Sequence, residues 1–269
     1  MSFDQLRLRP GRKMDLFAVD PADTSAFRGG KRKAEAELPR LRSELDRLQE
    51  LFYADARRGL LVVLQGMDTS GKDGTIRHVF EGVNPQGVRV SSFRVPTPSE
   101  GAHDFLWRIH QRAPAKGEIV IFNRSQYEDV LAARVHHLVP RKLWSKRYHA
   151  INEFERELVE EGATILKFFL HLSREEQRKR LEERCNDPTK YWKLNRADLQ
   201  ERPFWGQYME SYEEMLRRTT TPWAPWYIVP SDHKWFRNLV ISSVLVETLQ
   251  SMNLRYPAST VDLSQLRID

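Results

Sequence analysis

The residues Gly66, Gly71 and Lys72 have the spacing G-x-x-x-x-G-K of a phosphate-binding loop. Glycine at such positions permits positive φ angles and close approach of the backbone, so that amide N–H groups converge on an anion. Lys72 supplies a positive charge to the same place. The residues expected to contact phosphate in this loop are Gly66, Thr69, Ser70, Gly71, Lys72, Asp73 and Gly74.

Asp73 stands where such a loop usually has serine or threonine, whose hydroxyl ligates magnesium. The carboxylates of Asp68 and Asp73 can replace that hydroxyl, because magnesium is bound through one or two carboxylates together with substrate phosphates. Asp73 is equally well explained as an acidic residue in the first turn of a helix, where the helix dipole favours negative charge. The sequence leaves both interpretations of Asp73 open.

A second polar segment, NRSQYED, follows the apolar run IVIF. Its first residue, Asn123, replaces the usual aspartate, and an amide can orient water or ligate weakly but cannot act as a base. Ser125 and Glu128 fit a capping box, which gives Glu128 a structural explanation. Asp129 has no such local explanation. It is therefore, after Asp68, the second candidate metal ligand.

Two arginines follow predicted strands at the edge where ligands bind in open α/β sheets. For Arg124 a phosphate contact is favoured over a surface ion pair, since arginine binds phosphate in a bidentate manner. Arg94 is followed by Pro96 and Pro98, which fix the path of the chain. These prolines either aim Arg94 at an acceptor phosphate or simply end the strand, and the two interpretations are balanced.

The composition is that of a single soluble α/β domain. The chain has 269 residues, 30% charged and 40% hydrophobic, with a formal net charge of +6. No apolar run approaches the roughly 20 residues that span a bilayer, and no secretory signal is visible. The single Cys185 excludes an intrachain disulfide, which fits a reducing cytoplasm. The positive charge favours nucleic acid, anionic lipid or a polyanionic substrate as partner.

The elements that must position these side chains alternate along the chain between apolar runs and helical patterns, which predicts a parallel sheet covered by helices. The predicted buried strands are 60–64, 88–93, 119–122, 164–172 and 226–229. The predicted helices, after one that starts at about residue 75, are 105–111, 127–137, 143–160, 174–184, 208–217 and 235–252.

We expect one domain over residues 1–269, beginning with an irregular arm over 1–30 that crosses a neighbouring surface. A helix predicted over 31–58 carries an apolar stripe, which either packs on its own core or forms a subunit contact. The segment NDPTKYWKLNRADLQERPFWG is polar and aromatic, and we interpret it as part of a movable lid over about residues 173–206. The charges of the preceding helix alternate in sign, as on a solvated, ion-paired surface.

Several motifs in fixed order resemble the polyphosphate kinase 2 family. They are GMDTSGKDG, FRVPT, FNRSQYEDV, SREEQRKRLEER and DPTKYWK, spread over residues 66–193, with a weaker likeness in APWYIVPSDHKWFRN. The FNRSxYEDV form is similar to the class III branch, whose members phosphorylate both AMP and ADP from polyphosphate. The resemblance implies a three-layer α/β P-loop kinase fold with a helical lid, similar to thymidylate kinase.

Carried over by position, the resemblance implies a catalytic set of Asp68, Lys72, Arg124 and Glu128. Asp68 and Asp129 would hold Mg²⁺, with Mn²⁺ as a substitute. The residues implied to bind phosphate or nucleotide outside the loop are Arg94, Asn123, Arg178, Arg184, Lys190 and Lys193.

We therefore expect a cytoplasmic enzyme that reversibly transfers the terminal phosphate of inorganic polyphosphate to AMP or ADP. Its partners would be polyphosphate, adenine nucleotides and further copies of the chain in a dimer or tetramer, without nucleic acid or membrane. Two alternatives stay open: an ATP-dependent nucleoside monophosphate kinase, which shares the loop, and a basic nucleic-acid-binding protein, which shares the charge.

Overall fold

The computed structural model describes residues 2–260, without the side chain of Ala197, so the ends of the expected domain, residue 1 and residues 261–269, lie outside it. The strands are β1 (Leu60–Gln65), β2 (Val88–Ser92), β3 (Ile119–Asn123), β4 (Thr164–His171) and β5 (Trp226–Pro230). The helices are α1 (Gly30–Asp55), α2 (Lys72–Val79), α3 (Pro98–Gly101), α4 (Trp107–His110), α5 (Glu128–Val135), α6 (Arg141–Glu160), α7 (Arg174–Cys185), α8 (Arg196–Glu201), α9 (Trp205–Thr219) and α10 (Lys234–Ser251).

The strands form one parallel sheet in the order β2-β3-β1-β4-β5, which confirms the predicted α/β architecture. In the central register Leu64 of β1 lies opposite Asn123 of β3 and Phe168 of β4. Ser92 of β2 lies opposite Asn123 from the other side. Because parallel strands present their carboxyl ends at one edge, the segments after β1, β2 and β3 converge there.

Helices cover both faces of this sheet, because its central strands are apolar on both faces. One buried cluster includes Leu61 and Val63 with α5, α6 and α9, and the other includes Leu60, Val62 and Leu64 with α1 and α10. β2 differs from the prediction of a buried strand. It is the edge strand, and the side chain of Val90 is 46% exposed.

The apolar stripe of α1 packs within its own protein, against α10 and the sheet. The helix ends at Asp55, earlier than predicted, because Ala56 adopts a left-handed conformation with φ of 45°. The predicted helix over 105–111 is likewise shorter and is reduced to α4. The first helix after the loop begins at Lys72, immediately after Gly71.

The N-terminal arm lies across the protein's own surface and contributes buried side chains of Phe3, Leu8 and Leu16. The backbone N–H of Leu8 donates to the Trp226 carbonyl at 2.7 Å, and that of Leu16 donates to a Glu213 carboxylate oxygen at 2.8 Å. Irregular backbone is satisfied in this way by the neighbouring strand and helix.

Across residues 2–260, no helix is both long and apolar enough to cross a bilayer.

Candidate active site

The loop between β1 and α2 has the backbone that its glycines predict. The φ angles are 152° at Gly66, 64° at Thr69 and 105° at Gly71. A Cβ atom at Gly66 would lie 2.7 Å from the Leu170 carbonyl oxygen, and one at Gly71 would overlap the Arg237 guanidinium. Both positions therefore require glycine for space as well as for conformation.

Lys72 lies in the centre of the loop with a nearly buried side chain. Its Nζ donates to the carbonyl oxygens of Gly66 at 2.7 Å and Met67 at 3.2 Å. Burial and the nearby Arg124 lower the pKa of Lys72, whereas Asp68 and the more distant acids oppose that shift. No ion pair of Lys72 is found within residues 2–260, so its charge is not neutralised by direct contact with a carboxylate.

Three hydroxyl groups of the loop and α2 are buried without a hydrogen-bond partner in the described part of the chain: Thr69 Oγ1, Ser70 Oγ and Thr75 Oγ1. Buried polar groups in native proteins ordinarily have partners, so such a cluster requires an explanation. Its position in a loop of phosphate-binding geometry makes an anion the natural partner.

Two buried arginines bind backbone carbonyl oxygens of the loop. Arg180 of α7 donates to the carbonyl oxygens of Thr69 at 3.1 Å and Ser70 at 3.2 Å, and Arg237 of α10 donates to that of Ser70 at 3.1 Å. Burial and the proximity of Arg180 lower the pKa of Arg237 to about 9. The arginines bind carbonyl oxygens of the loop and so help to fix its conformation.

Arg124 lies beside the loop and forms an ion pair with Asp68 at 2.5 Å. Its backbone is left-handed, with φ of 63°, which turns the chain sharply after β3. Burial acts to lower the pKa of Arg124, but the carboxylates of Glu128 and Asp68 prevail and raise it. Arg124 therefore forms an ion pair, but this pair lies at the phosphate-binding loop and not on a remote surface. A phosphate contact of Arg124 stays a prediction.

Glu128 does not close the predicted capping box. The Ser125 hydroxyl accepts from the Tyr127 N–H at 3.4 Å, and the first residue of α5 is Glu128 itself. The Glu128 carboxylate instead accepts from Gln65 Nε2 at 3.3 Å. The N-cap residue of α5 is Tyr127 and not Ser125, so Ser125 and Glu128 do not occupy the N-cap and N3 positions that a capping box needs.

Burial raises the pKa of Glu128, against the influence of Arg124 and Lys72. This places the carboxylate in the same electrostatic environment as the loop lysine and Asp68. Glu128 is therefore the member of the acidic pair that the structure brings to the loop.

Asp129 turns to a different set of partners. Its carboxylate lies 3.2 Å from Arg108 and 3.9 Å from Arg147, and Arg147 also donates to its carbonyl oxygen at 2.7 Å. Burial raises the pKa of Asp129, while Arg108 and Arg147 act to lower it. Its assignment as a metal ligand stays a prediction, because both arginines compete for the same oxygens.

Asn123 and Asp73 contact each other, with Asn123 Nδ2 donating to Asp73 Oδ1 at 2.5 Å. Asp73 thus lies in the first turn of α2 and also faces the end of β3. Arg94 has an exposed side chain, and its carbonyl oxygen accepts from Arg108 Nη1 at 2.8 Å. This contact involves the backbone carbonyl of Arg94 and not its guanidinium group, so the phosphate role of Arg94 stays a prediction.

The four predicted lid residues differ in their surroundings. Arg178 is exposed and pairs along α7 with Glu175 at 2.5 Å and Glu182 at 2.9 Å, as the alternating charges predicted. Lys190 pairs with Asp187 at 2.8 Å, and Lys193 lies 4.9 Å from the centre of the Trp192 ring. Arg184 alone among the four pairs across the segment, with Asp198 of α8 at 3.3 Å.

The start of α7, where the predicted movable lid over about residues 173–206 begins, is attached to the loop by hydrogen bonds. Gln177 Nε2 donates to the Asp68 carbonyl oxygen at 2.9 Å, and Arg180 holds the next two carbonyls. Ser173 caps the helix by accepting from the Glu176 N–H at 3.0 Å. The first two turns of α7 are therefore bound to the loop, and a movable lid beyond them stays a prediction.

Sequence reasoning missed five residues that contact the loop or its charges: Gln65, Gln177, Arg180, Asp198 and Arg237. The motif SREEQRKRLEER contains two of them, but its alternating charges indicated a solvated helix. No local pattern separated Arg180 from its solvated neighbours, because an arginine four residues after Glu176 is also typical of an exposed helical ion pair.

Residues 29–257 match the family model described as polyphosphate kinase 2. The chain belongs to the polyphosphate kinase 2 family. It is 55% identical over 251 residues to an AMP/ADP-polyphosphate phosphotransferase of Meiothermus ruber, covering 93% of this chain and 94% of that protein.

Two further relatives support the membership. An ADP-polyphosphate phosphotransferase of Rhodopseudomonas palustris is 43% identical over 268 residues, covering 95% of this chain and 92% of that protein. The crystal structure of polyphosphate kinase 2 from Arthrobacter aurescens TC1 superposes with a TM-score of 0.93 at 41% identity, covering 97% of this chain and 93% of that chain. The predicted P-loop kinase fold agrees with this likeness.

The donor set of this polyphosphate kinase 2 site fits a magnesium ion shared with substrate phosphates. The described residues contain no group of three or more His, Cys, Asp or Glu side chains arranged to hold a metal alone. Magnesium commonly takes only one or two carboxylates and fills its other positions with phosphate and water. Asp68 and Glu128 meet that requirement beside Lys72 and Arg124.

Proposed function

We propose that this protein transfers the terminal phosphate of inorganic polyphosphate to AMP and to ADP, forming ADP and ATP, and that it also runs in reverse. The observation that carries the proposal is the buried Lys72, held by two loop carbonyls and flanked by Asp68, Arg124 and Glu128, in a member of the polyphosphate kinase 2 family. The names of the Meiothermus and Rhodopseudomonas relatives support these substrates.

In the proposed reaction the loop binds the phosphates that change bonds. Lys72 and the loop N–H groups stabilise charge on the transferred phosphoryl group, and the buried hydroxyls of Thr69, Ser70 and Thr75 are suited to donate to phosphate oxygens. Arg124 adds a second cation at the end of β3. One oxygen of the acceptor forms the new P–O bond as the bridging oxygen of polyphosphate departs with the shortened chain.

The chain needs no strong base for this step. Phosphoryl transfer with a loose transition state depends on position and charge neutralisation, and the acceptor oxygen of AMP or ADP is already ionised. The amide of Asn123 is therefore compatible with activity. In our proposal it orients Asp73, to which it donates at 2.5 Å.

Asp68 and Glu128 are the residues that would hold magnesium, with manganese as a substitute because it accepts the same oxygen ligands. When bound, the metal ion would supply positive charge that neutralises the phosphates during transfer. Asp129 is the alternative ligand from the sequence, and Arg108 and Arg147 would have to release it first.

We assign the activity to one domain, because the family match spans residues 29–257. In this proposal Arg94, Arg184, Lys190 and Lys193 contact polyphosphate or nucleotide. The stripe of α1 is used inside the fold, so a proposed dimer or tetramer must use another surface.

The decisive experiment supplies AMP or ADP with polyphosphate in the absence of ATP and separates the nucleotides by anion-exchange chromatography. We expect ADP and ATP to appear with the wild-type chain and to be lost in Lys72→Met. A parallel reaction with ATP and AMP but no polyphosphate tests the nucleoside monophosphate kinase alternative. Product formed only in that parallel reaction would overturn the proposal.

A further inference from the structure

Asp198 of α8 is the partner of Arg184 in a partly buried ion pair within the lid. The two side chains lie 3.3 Å apart and are 15% and 22% exposed, respectively. Arg184 Nη1 also donates to the Lys193 carbonyl oxygen at 3.1 Å. The other lid pairs, such as Arg178 with Glu175, lie at the surface, where an ion pair contributes little.

Asp198 also belongs to the charge cluster of the loop. Burial and the carboxylate of Asp68 raise its pKa, whereas Arg184, Arg124 and Lys72 act to lower it. The α8 carboxylate is thus close enough to sense both catalytic cations, although it is far from them in sequence. The lid contributes an anion to a place where the reaction brings further anions.

This cluster already contains several carboxylates before any phosphate is counted. Its cations include Lys72, Arg124 and Arg184, and its carboxylates are Asp68, Asp73, Glu128 and Asp198. Asp68 and Glu128 can be neutralised by magnesium, whereas Asp198 is paired with the lid arginine Arg184. A phosphate that enters beside Asp198 meets a like charge in partly desolvated surroundings, where repulsion is stronger than in water.

We propose that Asp198 and a substrate phosphate compete for Arg184, so that Asp198 weakens phosphate binding and Arg184 exchanges one anion for the other as substrate enters. Asp198 is then an affinity-determining residue of the site. This inference rests on the proposed function, and it goes beyond it by giving a lid carboxylate a role that opposes substrate binding.

The exchange has a structural consequence for the lid. Arg184 lies on α7, whose first turns are fixed to the loop by Gln177 and Arg180, whereas Asp198 lies on α8. When Arg184 turns to a phosphate, α8 loses this ion pair with α7, whereas Arg202, immediately after α8, still donates to Gln177 Oε1 of α7 at 2.7 Å. Phosphate binding would in this way loosen the contact between α7 and α8 at Asp198, while the start of α7 stays attached to the loop.

The test compares Asp198→Asn with Glu183→Gln, which removes the same charge from an exposed position next to Arg184. Binding of polyphosphate and of ADP is measured separately by calorimetry without magnesium at fixed ionic strength. We expect Asp198→Asn to lower the Kd of the competing ligand roughly three- to tenfold, the scale of losing one nearby like charge. Glu183→Gln should change it less than twofold.

The two titrations identify the source of the phosphate. If only polyphosphate binds more tightly, Arg184 contacts the phosphate donor, and if only ADP binds more tightly, Arg184 contacts the nucleotide. If both bind more tightly, they share the position beside Arg184. Each of these three results supports the inference. Unchanged or weaker binding by Asp198→Asn, in protein that melts like the wild type, would overturn it. Asp198→Ser serves as a second variant if the amide disturbs folding.

Two controls separate this inference from its foundations. Wild-type protein that forms neither ADP nor ATP from polyphosphate in the presence of magnesium would overturn the proposed function, whereas an active wild type whose ligand binding is unaffected by Asp198→Asn overturns only the competition. If Asp198 were instead a metal ligand, Asp198→Asn would raise the magnesium concentration needed for half-maximal activity. We expect that midpoint to be unchanged, and a clear rise would contradict the competition.

Discussion

Lys72, the first residue of α2, and Lys167 of β4 are two buried lysines with different partners. Lys167 of β4 is fully buried and donates to a Glu155 carboxylate oxygen at 2.6 Å, the Tyr127 hydroxyl at 3.0 Å and the Thr219 carbonyl at 2.7 Å. Lys72 donates only to two backbone carbonyls. Burial lowers the pKa of both ammonium groups, but only Lys167 has a carboxylate in contact.

The difference separates a charge that holds the fold from a charge that is available for chemistry. Three donors of the ammonium at Lys167 are matched by three acceptors, and Glu155 also accepts from Gln126 and Tyr127. These contacts fix the turn that precedes Glu128. At Lys72 a phosphate oxygen can supply the missing anion, which a buried cation favours strongly.

The largest expected effect is on the stability that the buried Lys167–Glu155 ion pair provides. Lys167→Met should lower the free energy of unfolding by about 3–5 kcal/mol, because it leaves Glu155 buried without its cation. Urea unfolding followed by circular dichroism measures this.

The double variant Lys167→Met with Glu155→Met is the matched control, and part of the loss should be recovered because no unpaired charge remains. A single variant as stable as the wild type would show that Lys167 is not structural in the sense argued above.

The second effect is on the turnover that depends on Lys72. Lys72→Met should reduce kcat by roughly 10²–10³-fold, the scale of losing one preorganised group at developing charge. Its free energy of unfolding should stay within about 1 kcal/mol of the wild type, because the desolvation of a buried ammonium is lost together with its two hydrogen bonds. A folded variant with near-normal kcat would remove the distinction between the two lysines.

A smaller effect is expected at the carboxylates. Asp68→Asn and Glu128→Gln should each raise the magnesium concentration for half-maximal activity, by roughly tenfold, because each removes one charged oxygen ligand. Asp129→Asn should leave that midpoint unchanged and act instead through Arg108 and Arg147. The opposite ranking in a magnesium titration would return the metal to Asp129.

The smallest effect is the shape of the pH profile. The raised pKa of Glu128 means that its carboxylate is lost on acidification at a higher pH than for an ordinary glutamate. The lowered pKa of Lys72 means that its charge is lost on alkalinisation at a lower pH than for an ordinary lysine. The pH range over which kcat/KM stays high should therefore be narrower at both its acidic and its alkaline end. Glu128→Gln should flatten the acidic side of the profile alone.

The parts of the site that sequence could predict are those encoded by local pattern. Gly66, Gly71 and Lys72 lie on one short segment, and an apolar strand before them identifies its context. The strands were recognisable for the same reason, since their central members are apolar on both faces.

The remainder depends on contacts between distant segments. Arg180 lies 111 residues from the Thr69 carbonyl that it binds, and Arg237 lies 167 residues from Ser70. No periodicity distinguishes such an arginine from a solvated one. Ser125 and Glu128 show the converse error, because they match a capping box in sequence although α5 begins at Glu128 with Tyr127 as its N-cap.

The hydrogen bonds from Arg180 and Arg237 to the carbonyl oxygens of the loop determine when the loop loses its conformational entropy. A loop held by carbonyl bonds to two helices is folded before substrate arrives, so its conformational entropy is lost once, when the chain folds, and not at every turnover. In hydrogen exchange the loop amides should consequently be released together with those of α10, in a single cooperative opening.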